Sequence, residues 1–274
     1  MIHQTANREI IYAIVRDSVE TASTRLRYAS TLEKQFSETS PVTAFLPPWI
    51  PQIFHLHHIV TLALEMAVRK IAVIACRENF GISVEERKIQ GVIKTGRLRR
   101  IAEMQNRLAS RDKSKRYEPN WKQELAYILR GRGEDIPVTV VCDVYAENLQ
   151  TGERFAFELK APLPNNDQTK VSKEKIFKLY CMEPRPVEGA YYALPYNPYG
   201  RKEDYAWSFP AQWFNMKEDE VVLIGDEFWE KIGGLGTYQA FIEAVNEIGA
   251  EYKEQIYREY LGIEPPPGSL DISL

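Results

Sequence analysis

The sequence predicts a mixed α/β (α+β) protein: a mixed sheet flanked by helices, with a helical region N-terminal to it. Three observations carry that reading. The stretch Val140 to Ala161, VVCDVYAENLQTGERFAFELKA, alternates with the two-residue period of a β-hairpin. A helical run and then a strand-like run, GAYYALPY, follow it and make a strand, helix, strand crossover. The first third of the chain instead has apolar residues at helical spacing, interrupted by proline.

Taken in order, helices are expected over roughly residues 6 to 37, where Val19, Leu26 and Leu32 recur at helical spacing. SPVTAFLPPWIP then reads as a proline-rich connector. A long helix is expected from about Gln52 to Glu78, stopped by Gly81. The basic segment after it reads as one or two helices with a polar break at SRDKSKRYEPN. A short helix around Trp121 to Leu129 precedes RGRGEDIP and the hairpin, whose loop is Leu149 to Gly152. APLPNNDQTK follows Lys160 as a loop, and a helix runs from about Ser172 to Met182, ended by Pro184. Right-handed crossover places Tyr191 to Pro195 parallel to Phe155 to Lys160. EVVLIG gives a further strand, DEFWEKIGG a helix, and Thr237 the N-cap of a last helix to about Leu261. The expected organisation is a mainly helical region over 1–120 packed on a core over 121–262, with a flexible tail over 263–274.

Bulk properties limit the function classes. A chain of 274 residues suits one large domain, or one with an appendage. It is long enough to bury about 75% of its unfolded surface without staples. Cys76, Cys142 and Cys181 form no CxxC pair, which points to buried free thiols in a reducing compartment. The N-terminus lacks the basic start and apolar run of a signal peptide, and the run from Gln52 to Cys76 is broken by Glu65, Arg69 and Lys70. A cytoplasmic protein without a membrane span is therefore expected. Net charge is −3, but from Arg87 to Arg116 eleven Lys or Arg stand against Glu103 and Asp112. Such segregation suits a surface that grips phosphate, although a solvated basic face is the commoner origin of a charge run.

The hairpin raises the chemical question. In the register set by a four-residue loop, Asp143 lies directly opposite Glu158, with Lys160 two residues further on the same face. Two like charges at roughly 5 Å repel by about 3 kcal/mol at an effective dielectric near 20. Lys160 or a divalent cation would relieve that repulsion. A one-residue bulge at Gly152 would instead put Asp143 on the other face from Glu158.

The constellation D-x14-E-x-K on adjacent antiparallel strands, followed by a crossover helix and a parallel strand, resembles the PD-(D/E)xK nuclease fold. FELKAPLPNNDQTKVSKEK, YNPYG with YAWSF, and GDEFWEKIGG with TY look like the TdeIII-type type II restriction endonucleases in order and spacing, over roughly the second half of the chain. This resemblance implies a catalytic centre of Asp143, Glu158 and Lys160, with Mg2+ held by Asp143, Glu158 and the carbonyl of Leu159. It also suggests Glu65 as an accessory carboxylate from an early helix, where a salt-bridged surface residue is the more ordinary role. The chemistry is reasonable on residue types: phosphodiester hydrolysis needs an activated water and neutralised phosphate charge, and a hard cation between carboxylates serves both.

Asn165, Asn166, Gln168, Lys170 and Lys173 are types suited to base edges and phosphates, though an Asn-rich loop before a helix is also ordinary capping chemistry. Arg97, Arg99 and Arg100 are candidates for the DNA backbone, and Asn197 in YNPYG for the cleft. HLHH, His55 to His58, has no nearby Cys or carboxylate to complete a zinc set, and GGLGTY lacks the lysine of a P-loop. The expected activity is magnesium-dependent cleavage of double-stranded DNA at a specific site, by a homodimer matched to a palindrome. A repair or recombination nuclease of the same fold is the alternative enzyme. A nucleic-acid-binding module without catalysis would keep the basic segment but has no need of all three hairpin residues.

Overall fold

The structure is a computed structural model, and it describes residues 8–21, 24, 45, 49–110, 112, 117–260 and 262–269. Of the expected early helices, 8–21 is helical and is termed α1; residues 25–37 and most of the proline-rich connector lie outside the described residues. The chain divides into two compact units, Met1–Ile71 with Gly236–Leu274, and Ala72–Leu235.

The first unit holds α1, most of the long helix α2 (Trp49–Phe80), and α8 (Thr237–Gln255). Within it, Arg16 on α1 reaches Glu251 on α8 at 2.9 Å, and Arg8 reaches Glu243 at 3.2 Å. Gly236, at φ 86°, is the N-cap of α8, so Thr237 is the first helical residue rather than the cap. The left-handed backbone favours glycine at that cap.

The second unit is built on a sheet in the order β1 (Gly81–Lys94), β2 (Asp135–Asn148), β3 (Arg154–Leu159), β4 (Gly189–Leu194), β5 (Val222–Ile224). β1, β2 and β3 run antiparallel in turn, and β3, β4 and β5 run parallel, giving the expected mixed sheet. The crossover from β3 to β4 is α5 (Asn166–Cys181), and Phe155 to Leu159 pair with Gly189 to Ala193. α3 (Thr95–Leu108) and α4 (Trp121–Leu129) connect β1 to β2; α6 (Ser208–Ala211) and α7 (Asp226–Gly233) flank β5.

β1 corrects the reading of its segment as helical. GISVEERKIQGVIK has charge at its centre, where a strand-forming pattern is weak, yet it pairs with β2 along its length from Gly81 opposite Asn148 to Lys94 opposite Asp135. A strand whose middle faces solvent can carry EERK without burying it, and only Ser83, Ile89 and Ile93 are buried. α5 also begins earlier than Ser172. Asn165 caps it, its Oδ1 accepting from the Gln168 N–H at 2.8 Å, so the second half of the expected loop, Asn166 to Lys170, is the start of the helix.

Both faces of the sheet are covered. Ile89, Ile93, Val140, Cys142, Tyr145, Ala156 and Tyr192 form one core with residues of α3, α4 and α5. On the opposite side Phe157 packs on Tyr191 and Phe228, and Phe155 on Phe80. Trp121 on α4 stacks on Phe177 of α5 at 4.8 Å, and the Trp121 N–H is anchored on Asp219. At the start of α3 the turn after α4 approaches so closely that a Cβ on Gly96 would meet the Arg132 carbonyl oxygen at 2.1 Å. Cys76, Cys142 and Cys181 are buried free thiols, as expected. No helix among the described residues is long and apolar enough to cross a membrane.

Candidate active site

The hairpin has the register read from its loop: Val144 opposes Phe157, and Glu147 opposes Arg154. Asn148 shapes the turn, its Oδ1 accepting from the Gln150 and Thr151 N–H groups, and Gly152 takes the positive φ of 75° that the turn needs. Gly152 therefore closes the turn without shifting the pairing.

Asp143 sits where the ladders on both sides of β2 are interrupted. The β2–β3 pairing ends at Val144, and the β1–β2 register skips from Glu85 opposite Val144 to Arg87 opposite Cys142. Glu86, which the register sets opposite Asp143, has φ 51°, an unusual value for a residue with a side chain. Alternation also slips here, because Cys142 and Tyr145 share one core. This irregular step brings the Asp143 side chain across to β3, where its Oδ2 accepts from the Leu159 N–H at 2.8 Å.

Three oxygens converge on one ammonium. Lys160 Nζ donates to the Leu159 carbonyl at 2.8 Å and to Glu158 Oε1 at 2.9 Å, and reaches Asp143 Oδ2 at 3.4 Å. Glu158 is 5% exposed, and its carboxylate is held further by Lys175 of α5, at 2.8 Å from Oε1 and 3.0 Å from Oε2. Ser172, one turn before Lys175, lies 3.5 Å from the same carboxylate. Burial pushes the Cys142 thiol up to about 12, and the neighbouring Glu158 and Asp143 carboxylates add to that shift.

Lys175 is the residue that sequence reasoning missed. Its signal was the spacing Gln168, Ser172, Lys175, which places three polar side chains along one stripe of α5. Starting the helix at Ser172 hid that stripe.

The oxygen set suits a hard divalent cation. Two carboxylates and a main-chain carbonyl already surround a positive charge, and oxygen donors are what magnesium and calcium prefer. Among the described residues no three His, Cys, Asp or Glu side chains come together as a metal cluster, so a third protein ligand would be the Leu159 carbonyl. Glu65 is exposed on the part of α2 that belongs to the first unit. His57 and His58 are exposed on the same helix.

The remaining candidates divide by burial. Gln168 is exposed, and Lys170 is half-buried with its Nζ 6.0 Å from the Trp213 ring centre. Asn166 accepts from the Trp213 indole N–H at 2.6 Å. Lys173 is sealed in the core against Glu124 at 2.5 Å, with the Trp213 carbonyl as a second partner, and cannot meet DNA from there. Arg97 is buried too, donating to the Cys181 carbonyl at 2.9 Å and pairing with Glu183 at 2.7 Å. Arg100 donates to the Tyr127 carbonyl and lies over its ring, whereas Arg99 is 72% exposed beside Glu103. Asn197 is buried in its turn, bonded to Arg201 and Tyr199. Arg111, Lys113, Lys115 and Arg116 lie outside the described residues.

A family model described as type II restriction endonuclease, HinfI, matches residues 4–249. The type II restriction enzyme HgiCII of Herpetosiphon aurantiacus is 30% identical over 125 residues, 44% of this chain and 45% of the relative. HgiEI and HgiBI of the same organism, also type II restriction enzymes, are each 30% identical over 139 residues, 47% of this chain and 49% of the relative. The chain thus spans about half the length of the curated relatives it matches.

Proposed function

The chain belongs to the HinfI family of type II restriction endonucleases, and from that premise we propose that it hydrolyses phosphodiester bonds of double-stranded DNA at a specific site, with Mg2+ as cofactor. The observation that carries this reading is the convergence of Asp143, Glu158 and the Leu159 carbonyl on the Lys160 ammonium, at the irregular end of the hairpin.

Asp143, Glu158 and the Leu159 carbonyl are the proposed metal ligands. A divalent cation bound there would supply Lewis acidity toward the scissile phosphate and toward water. Lys160 is an ammonium beside two carboxylates, and its part is to donate hydrogen bonds toward charge that builds on the phosphorus oxygens, and to hold the attacking water. Leu159 N–H fixes the Asp143 carboxylate, so that ligand is oriented by the backbone before any substrate arrives.

For DNA, the exposed Gln168 and the half-buried Lys170 at the start of α5 are the proposed contacts nearest in sequence to the catalytic lysine, with Asn165 and Asn166 shaping the turn that presents them. Arg99 is the proposed backbone contact from α3. A homodimer is proposed because two identical centres related by a two-fold axis match the two strands of a palindrome. The deciding experiment is plasmid digestion with and without magnesium. Discrete fragments in magnesium and none in EDTA are expected; intact plasmid in both, or nicking that follows DNA structure rather than sequence, would overturn the reading.

A further inference from the structure

Lys175, on α5, is a charged group bonded to the site from outside the hairpin. We propose that it is a positioning residue that compensates the Glu158 charge until a divalent cation and a DNA phosphate enter together, an inference that rests on the nuclease reading above. Glu158 Oε1 carries two ammonium groups, Lys160 at 2.9 Å and Lys175 at 2.8 Å, and Lys175 also holds Oε2 at 3.0 Å. Asp143, Glu158, Lys160 and Lys175, the four side chains joined by these contacts, sum to zero charge.

Two consequences follow from electrostatics. A dication approaching these four groups meets no net attraction from them, and Glu158 must give up Lys175 to accept it. Lys175 can leave: its side chain is 30% exposed, against 18% for Lys160, which is tied to three oxygens of the hairpin. Once cation and released lysine are both present, the site carries excess positive charge that a phosphodiester matches. Metal binding and DNA binding therefore strengthen each other, and the factor is the same in either direction.

Calcium titrated calorimetrically into the full chain without DNA tests this, together with duplex binding with and without calcium. Lys175→Met should raise the calcium affinity of the DNA-free protein about tenfold, because one positive charge near the cation is removed. The factor by which calcium strengthens duplex binding should fall by a similar amount. Lys175→Arg, which keeps the charge, should stay close to wild type in both. Should the Met variant melt early, Lys175→Gln replaces it in the same titrations. A purely structural lysine would change the melting temperature and leave calcium affinity unchanged or weaker, and that result overturns the inference. A wild type that cleaves plasmid in magnesium, beside a Met variant whose calcium affinity does not rise, overturns the inference alone. A wild type with no metal-dependent cleavage overturns the nuclease reading and the inference with it.

Discussion

Lys173 and Lys175 leave α5 two residues apart, and each ends on a glutamate, but one pair is sealed and the other is open. Lys173 and Glu124 are both 0% exposed, whereas Lys175 is 30% exposed where it holds Glu158. Burial pulls the Lys173 ammonium down and pushes the Glu124 carboxyl up, and the contact between the two groups opposes both shifts. The Trp213 carbonyl and the rings of Phe177 and Phe214 complete the surroundings of Lys173. A charge enclosed in that way fixes α4, α5 and the Trp213 segment together. A charge that water can reach, bonded to a carboxylate that has other suitors, is free to be exchanged. Residue type and sequence position are nearly the same for the two lysines; access decides their roles.

The sharpest way to break the comparison is at the open cluster. Asp143→Asn or Glu158→Gln should reduce DNA cleavage about a thousandfold or more, because each removes a proposed metal ligand. Melting temperature should hold, since Asn still accepts from the Leu159 N–H and Gln still offers oxygen to Lys160. Cleavage near the wild-type rate in magnesium would move the centre elsewhere. Lys160→Ala should lose turnover while duplex binding in calcium persists, and Lys160→Arg should fail to restore it, because a planar guanidinium cannot occupy the point where three oxygens meet.

At the sealed cluster the effect should fall on stability. Lys173→Met leaves Glu124 buried without its partner and should cost about 3 to 5 kcal/mol by denaturant unfolding. The double variant Lys173→Met with Glu124→Leu should regain most of that, since removing both charges removes both desolvation penalties. Equal losses in the single and double variants would mean that packing around Trp213, not charge, is what the pair supports.

Much of this was legible in the sequence, for identifiable reasons. The hairpin's turn chemistry set the register from Val144 to Glu147 and so put Asp143, Glu158 and Lys160 in one neighbourhood, but the slip in alternation that turns Asp143 toward β3 has no mark in the sequence. The crossover followed from one helical run between two strands. β1 was not legible, because a strand with a solvent-facing middle needs no apolar alternation there and EERK resembles a helix surface. Lys173 could not be told from a surface lysine, since its burial depends on Glu124 from α4, forty-nine residues earlier. Lys175 is hidden by the helix start: a helix that begins at Ser172 has no stripe from Gln168 to Lys175, and the Asn165 cap that moves the start earlier looks the same as ordinary turn chemistry.

The smallest expected effect extends the same distinction to the basic segment. Charge counting treats Arg97, Arg99 and Arg100 alike and would assign each a phosphate, but two of the three have internal partners. Arg97 holds the Cys181 carbonyl and Glu183, and Arg100 holds the Tyr127 carbonyl while stacking on its ring. Arg99 alone of the three is largely exposed, with Glu103 beside it on the helix surface. Each phosphate contact contributes about −0.9 to the slope of log affinity against log salt. Arg99→Gln should therefore flatten the slope of duplex binding, measured in calcium, by about one unit and weaken specific and nonspecific duplex alike. Arg97→Gln should leave the slope unchanged and lower stability by about 1.5 to 3 kcal/mol, the loss of buried hydrogen bonds from a charged donor. A slope that changes with Arg97 and not with Arg99 would reverse the assignment, and would mean that exposure on α3 does not mark the face that meets DNA.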